Sequence, residues 1–249
     1  MTEDTGMVLR SVRDGDVVTL TLHRPKQRNA LDDSLIAAMQ EALEGAAEST
    51  ARAVVLTGTG GAFCAGADLT EVFSERFTER LFRLMHTIDS IPLPVIAAIN
   101  GPAIGAGTQL AIAADLRVVM PEAYFQIPAA RIGITVDRWT VHRLCAMVGP
   151  SRARGMLLGI QQLPASDALA CGFANQLGTL ADAQRWAQEI AALAPLSLQH
   201  LKLTLNDDGT RVPDSPEQWD GLLRAWRSAD AQEAQQARAE RRQPRFTGR

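Results

Sequence analysis

Pro94-Val95-Ile96-Ala97-Ala98-Ile99-Asn100-Gly101-Pro102-Ala103-Ile104-Gly105-Ala106-Gly107 sits inside a run without charge, Ser90 to Ala114. About 20 apolar residues would be enough to cross a bilayer. Pro92, Pro94, Pro102, Asn100, Gly101, Gly105, Gly107 and Gln109 break this run, and such breaks would leave backbone groups unpaired in lipid. The stretch therefore predicts a buried strand, a tight turn and the start of a buried helix. Thr108, Gln109 and Leu110 follow the glycines, so the third glycine of a dinucleotide fingerprint is missing.

A second segment of small residues, Gly60-Gly61-Ala62-Phe63-Cys64-Ala65-Gly66-Ala67-Asp68-Leu69, follows another apolar strand, Ala53 to Leu56. It lacks the Lys-Ser/Thr ending of a phosphate loop. If the two segments meet, two backbone N–H groups can point at one oxygen, and a helix N-terminus adds partial positive charge there. That arrangement is an oxyanion hole. Taken singly, each segment reads more simply as a strand-to-helix turn in which glycine supplies backbone freedom.

On the N-terminal side, Met7 to Val12 and Val17 to Leu22 read as a hairpin around Asp14-Gly15. Val18, Leu20 and Leu22 alternate with Thr19 and Thr21, the period of a half-exposed strand. After the polar loop His23 to Asn29, Asp32 or Asp33 can cap a helix to about Glu48, with Leu35, Ile36, Met39 and Leu43 on one face. A helix is expected from about Glu71 to Ser90 and another from Gly105 to Ala114. Short strands follow at Leu116 to Met120 and Tyr124 to Ile127. Beyond Asp137 the chain reads almost entirely as helix, interrupted near Gly159, Gly172 and Pro195. Ser228 to Arg242 is a solvated helix rich in helix formers. The order of elements is α/β in front and helical behind.

The 249 residues suit one large domain with a helical appendage. Lys plus Arg number 25 against 28 Asp plus Glu, so no positive field exists to hold a nucleic acid. Three cysteines, Cys64, Cys145 and Cys171, show no CxxC spacing and argue against a disulfide scaffold. The acidic start, Met1 to Thr5, lacks an apolar signal core, which makes the cytoplasm the expected compartment.

Five elements in order carry a resemblance to a known family: Leu22-His23-Arg24-Pro25-Lys26-Gln27-Arg28-Asn29-Ala30-Leu31, Val55-Leu56-Thr57-Gly58, Phe63 to Leu69, Pro94 to Gly101, and Ala114-Asp115-Leu116-Arg117. The tail Arg241-Arg242-Gln243-Pro244-Arg245-Phe246 adds a sixth. Together they resemble the enoyl-CoA hydratase/isomerase, or crotonase, family. The resemblance implies an α/β fold, a spiral of ββα turns over residues 1–194. A C-terminal helical region over 195–249 would mediate a homotrimer or a hexamer built as a dimer of trimers. It implies an acyl-CoA thioester as ligand, with no cofactor beyond that coenzyme and no metal. By position, the oxyanion-hole donors would be the N–H groups of Ala65 and Ala106. Lys26, Arg28, Ala30, Ala65, Gly66, Ala67, Asp68, Leu69 and Gly105 would border the coenzyme, with Asp68 in a structural role.

Family hydratases add water with two glutamates. Gln109 stands at the first of these positions and Ala129 at the second. An amide can hold water but cannot ionise, and a methyl group can do neither, so ordinary hydratase activity is not expected. Asp137 is the remaining acidic candidate: some family members place a carboxylate there for proton transfer. Asp137 reads more simply as a helix N-cap or a partner of Arg138. His142 and Cys145 share a helix face without a further pair to complete a metal site, and the four tryptophans read as packing anchors. Three functions are compatible with these residues: an acyl-CoA or enoyl-CoA binding protein of fatty-acid metabolism with little turnover, an isomerase or other enolate-forming enzyme using Asp137, and a structural oligomer.

Overall fold

The computed structural model describes residues 6–207 and 216–247; the acidic start, Met1 to Thr5, lies outside them. The chain runs through β1 (Leu9–Asp14), β2 (Val17–Leu22), α1 (Asp33–Glu48), β3 (Ala53–Gly58), α2 (Glu75–Ser90) and β4 (Val95–Ile99). Next come β5 (Ala103–Ile104), α3 (Ala106–Ala113), β6 (Leu116–Val119), β7 (Tyr124–Gln126), α4 (Arg138–Val148) and α5 (Pro150–Leu157). The last elements are β8 (Leu163–Pro164), α6 (Ala165–Ala170), β9 (Gln176–Leu177), α7 (Leu180–Ala191), α8 (Pro195–Leu205), α9 (Pro216–Trp226) and α10 (Ala229–Ala239).

Six strands form one sheet in the order β1-β2-β3-β4-β6-β9, antiparallel at β1–β2 and parallel elsewhere, while β5, β7 and β8 form a second sheet. Strands covered on both faces read as continuous apolar runs, and β3 and β4 are buried at every position. Alternate side chains divide between two clusters: Val54 and Leu56 join the main core with α1, α2 and α3, while Val55, Ile96 and Ala98 pack against Ala183 and Ala187 of α7.

The hairpin differs from its alternating pattern. β2 is buried nearly throughout, Thr19 included, because it pairs with β3 as an inner strand from Val17↔Ala53 to Leu22↔Gly58 and α7 covers the face that bears Val17 and Thr19. The Gln184 amide of α7 donates to Thr19 Oγ1 at 3.1 Å, so a polar residue is satisfied where solvent was expected. The region after Asp137 also holds two short strands, β8 and β9, among its helices. At two residues each they are too short to show a period. α2 begins at Glu75, capped by Ser74, and Glu71 instead accepts the Asp33 N–H at 2.7 Å, closing the start of α1.

The uncharged run Ser90 to Ala114 resolves into β4, a turn, β5 and α3, and no helix among the described residues is long and apolar enough to cross a membrane. α8 is tied into the core by Lys202. Its ammonium donates to Ile88 O and Leu93 O at 2.9 Å and pairs with Asp115 Oδ2 at 2.8 Å. The same Asp115 oxygen accepts the Val95 N–H at 2.7 Å, so one buried charge pair joins α8, β4 and the end of α3. Burial pulls the Lys202 ammonium below its ordinary value, opposed by Asp115.

Candidate active site

The ends of β3 and β4 lie side by side in the sheet, so the loops that leave them must meet. Asn100 staples them: its Oδ1 accepts the Gly58 N–H at 3.2 Å and its Nδ2 donates to Gly60 O at 2.8 Å. Further on, Cys64 and Ala103 form a parallel bridge in which Ile104 N–H reaches Cys64 O at 2.9 Å. α3 then starts so close to this strand that a Cβ on Gly107 would stand 2.2 Å from Cys64 O. Gly107→Ala is therefore expected to lose about 1–3 kcal/mol of stability through overpacking against main chain, measured as a lowered urea midpoint. A normal midpoint would show that α3 can move away. Gly66, at φ +108, faces the same helix start, with its absent Cβ 3.8 Å from Ala106 N.

Hydrogen-bond accounting across these loops identifies the free donors. Ala65 N–H, one of the two expected donors, is already engaged by Arg28 O at 3.0 Å. The next pairings are Leu31 N–H to Gly66 O at 2.8 Å and Asp68 N–H to Leu31 O at 2.7 Å. That parallel bridge, Leu31↔Ala67, uses the groups on either side of Ala67 and turns the Ala67 N–H away from Leu31. Gly105 N–H is taken by Gln126 O at 2.8 Å. Ala106 is the first residue of α3 and has no acceptor one turn back. Among the described residues nothing accepts from Ala67 N–H or Ala106 N–H, and both residues line one cavity. The available pair is thus Ala67 and Ala106, not Ala65 and Ala106: the extended chain presents alternate amides to opposite sides, and the motif alone does not say which.

The cavity measures about 180 Å³ and is walled mainly by carbon, including Leu69, Phe82, Ile127 and Ile134. Trp226 of α9 closes one side, its indole N–H donating to Thr135 O at 3.1 Å. Gln109 and Ala129 both stand in the wall. A second recess of about 290 Å³, lined by Pro25, Arg28, Thr59 and Tyr124 among others, shares Ala65 and Ile104 with the first. Lys26 is exposed beside it, outside its wall, and Arg28 is exposed at its rim.

The rim is held in an unusual conformation. Arg28 and Asn29 have left-handed backbones, φ 50 and 58, which costs energy in residues other than glycine. Buried Asn29 compensates by donating to Thr59 O and Ala62 O, both at 2.9 Å, while accepting the Arg24 N–H at 3.0 Å. Arg24 also reaches Ala30 O, Asp32 at 3.0 Å and Asp68 at 3.3 Å. Partial burial pushes the Asp68 carboxyl up, but hydrogen bonds from Thr70 and Arg24 outweigh it and hold the group below its ordinary value. Asp68 thus clamps the two loops together.

Asp137 is absent from the cavity wall, although its neighbour Val136 belongs to it. It occupies the N-cap position of α4, 7% exposed, and its Oδ1 accepts the Thr140 hydroxyl. Thr140 in turn receives the Gln109 Nε2 at 2.7 Å. Cys64 is fully buried, its thiol directed at Gly66 O, and burial pushes its pKa up to about 12. A larger open groove of about 1310 Å³ runs between α9, α10 and Phe246, but the free amide pair lies elsewhere. Sequence reasoning did not single out Ala67 as a donor, or Thr140 or Trp226 as parts of the site. The spacing Asp137-x-x-Thr140 at a helix start was the visible hint for the second.

A family model described as enoyl-CoA hydratase/isomerase matches residues 13–249. The probable enoyl-CoA hydratase echA6 of Mycobacterium tuberculosis is 51% identical over 233 residues, 93% of this chain and 96% of that one. The 1,2-epoxyphenylacetyl-CoA isomerase of Escherichia coli is 34% identical over 261 residues, covering 97% and 98%. Among solved structures, carnitinyl-CoA hydratase from Mycobacterium avium superposes with TM-score 0.86 at 32% identity, covering 97% and 99% of the two chains.

Proposed function

The chain belongs to the enoyl-CoA hydratase/isomerase family, and from that premise we propose that it binds acyl-CoA or enoyl-CoA thioesters without hydrating them at an ordinary rate. One observation carries this reading: two unengaged amides, Ala67 and Ala106, belong to residues lining a cavity whose wall also holds Gln109 and Ala129, which by the family resemblance stand at the two hydratase glutamate positions and cannot ionise. The amides would hold the thioester oxygen, and the helix N-terminus at Ala106 would add partial positive charge to that grip. The acyl group would lie among Phe82, Ile134 and Trp226, and the pantetheine arm would pass Ala65 and Ile104 into the second recess beneath Arg28. Direct proton transfer by Asp137, the isomerase reading, finds less support, because Thr140 stands between that carboxylate and Gln109.

Titration calorimetry and an absorbance assay test the proposal together. Butyryl-CoA is expected to bind, while crotonyl-CoA shows no hydration above background; hydration at rates ordinary for a hydratase, or no binding at all, overturns it. With ¹⁵N-alanine labelling, bound butyryl-CoA is expected to move the Ala67 and Ala106 amide signals and leave that of Ala65 nearly in place. A shift confined to Ala65 would reverse the donor assignment. Self-association is part of the same proposal, supported by Leu196, Leu201, Leu203 and Leu205, which stand exposed along α8. Light scattering should then give the mass of a trimer or a multiple of it.

A further inference from the structure

α3 starts without a side-chain cap. Its N-cap is Gly105, at φ +53, which brings no side-chain oxygen to the first turn. The helix has eight residues, all buried and none charged, and it is too short to be stable alone. Apolar packing keeps such a helix in place but is non-directional. An amide that grips a ligand oxygen needs an aim as well, since a misplacement of about 1 Å is enough to spoil the contact.

Thr108 can supply that aim. It is fully buried and stands outside the cavity wall, so its influence on a ligand is indirect. Its hydroxyl donates to Ala103 O at 2.7 Å, lies 3.1 Å from Gln126 O and accepts the Gln126 N–H at 3.3 Å. Gln126 O in turn takes the Gly105 N–H at 2.8 Å. Ala103 opens β5 and Gln126 closes β7, so one hydroxyl ties the first turn of α3 to both strands of the small sheet that feeds it. The far side is anchored too, because Gln126 Nε2 donates to Ile160 O at 2.8 Å. Among the described residues no other side chain hydrogen-bonds to the stretch Ala103 to Thr108. Ala106 lies in that stretch, two residues before Thr108.

We propose that Thr108 is a positioning residue: its hydroxyl fastens the start of α3 to β5 and β7, and so holds the Ala106 N–H where the carbonyl oxygen of a ligand arrives. This rests on the thioester-binding reading above. No bond is made or broken in this step.

Calorimetric titration of the full chain with butyryl-CoA and with S-butyl-CoA, the thioether that lacks the carbonyl oxygen, tests it. The wild type is expected to bind the carbonyl-bearing ligand about five- to tenfold more tightly, the value of a hydrogen bond in a desolvated site. Thr108→Val should cut that ratio by about threefold or more, and Thr108→Ser, which keeps the hydroxyl, should hold it at the wild-type value. A role in packing alone would weaken both ligands together and leave the ratio unmoved. Should the valine variant not fold, Thr108→Cys, whose thiol is only a weak donor, is read in the same way. A ratio that survives loss of the hydroxyl overturns the inference and leaves the thioester-binding reading standing. A wild-type ratio near one, or failure of both ligands to bind, removes that reading and the inference with it.

Discussion

Replacing Gln109 and Ala129 together by glutamate is expected to raise crotonyl-CoA hydration by about 10²- to 10⁴-fold, the usual contribution of positioned acid–base groups. Both positions are in the wall of the cavity that Ala67 and Ala106 also line, so the carboxylates would arrive beside the proposed oxyanion hole. The single change Gln109→Glu should gain much less, because one carboxylate cannot both activate water and deliver the proton to the other carbon. It also meets a local conflict. Thr140 has one proton and already gives it to Asp137; a second carboxylate beside it would be left facing a lone pair, which raises the pKa of the newcomer. Initial rates measured for wild type, both single variants and the double variant decide the matter. If the double variant stays at background, something other than the missing carboxylates silences this cavity.

Lys202→Met is expected to be the most destabilising of the changes considered, by about 3 kcal/mol. Removing one member of a buried ion pair leaves the other uncompensated and typically costs ~3–5 kcal/mol. The lower end applies because Asp115 keeps 19% of its side chain exposed and retains the Val95 N–H. Two carbonyls, Ile88 O and Leu93 O, lose their donor as well. Urea unfolding of Lys202→Met and of the double variant with Asp115→Asn should show the second change costing little once the first is made, since the charge left behind has gone. Equal and additive losses would mean that the two groups act independently.

The spiral core was legible because its strands are covered on both faces. Ala53-Val54-Val55-Leu56 and Val95 to Ile99 have no polar interruption, and their shortness, β-branched residues and nearby Gly58 and Pro94 favour a buried strand over a helix. β2 misled for the same reason in reverse: Thr19 and Thr21 mimic solvent-facing positions, and only the Gln184 partner of Thr19, far along the chain, shows the first to be interior. The two loops of the site were recognisable as small-residue turns. Which amides they leave free was not, since that depends on how Arg28 and Leu31 pair with the segment Ala65 to Asp68. Asp137 shows the same limit at side-chain level. The family resemblance suggests a carboxylate near the acyl group at this position, whereas the turn of α4 puts Thr140 between it and Gln109.

Cys64 lies in the motif next to the loops proposed to hold a thioester, where a reactive thiolate would be a hazard. Burial pushes its pKa up to about 12, so the thiolate, the form that attacks, is strongly disfavoured near neutral pH. Under the proposed function, transthioesterification onto the protein would be suppressed, and a coenzyme A ester would dwell in the site and leave with its acyl group still attached.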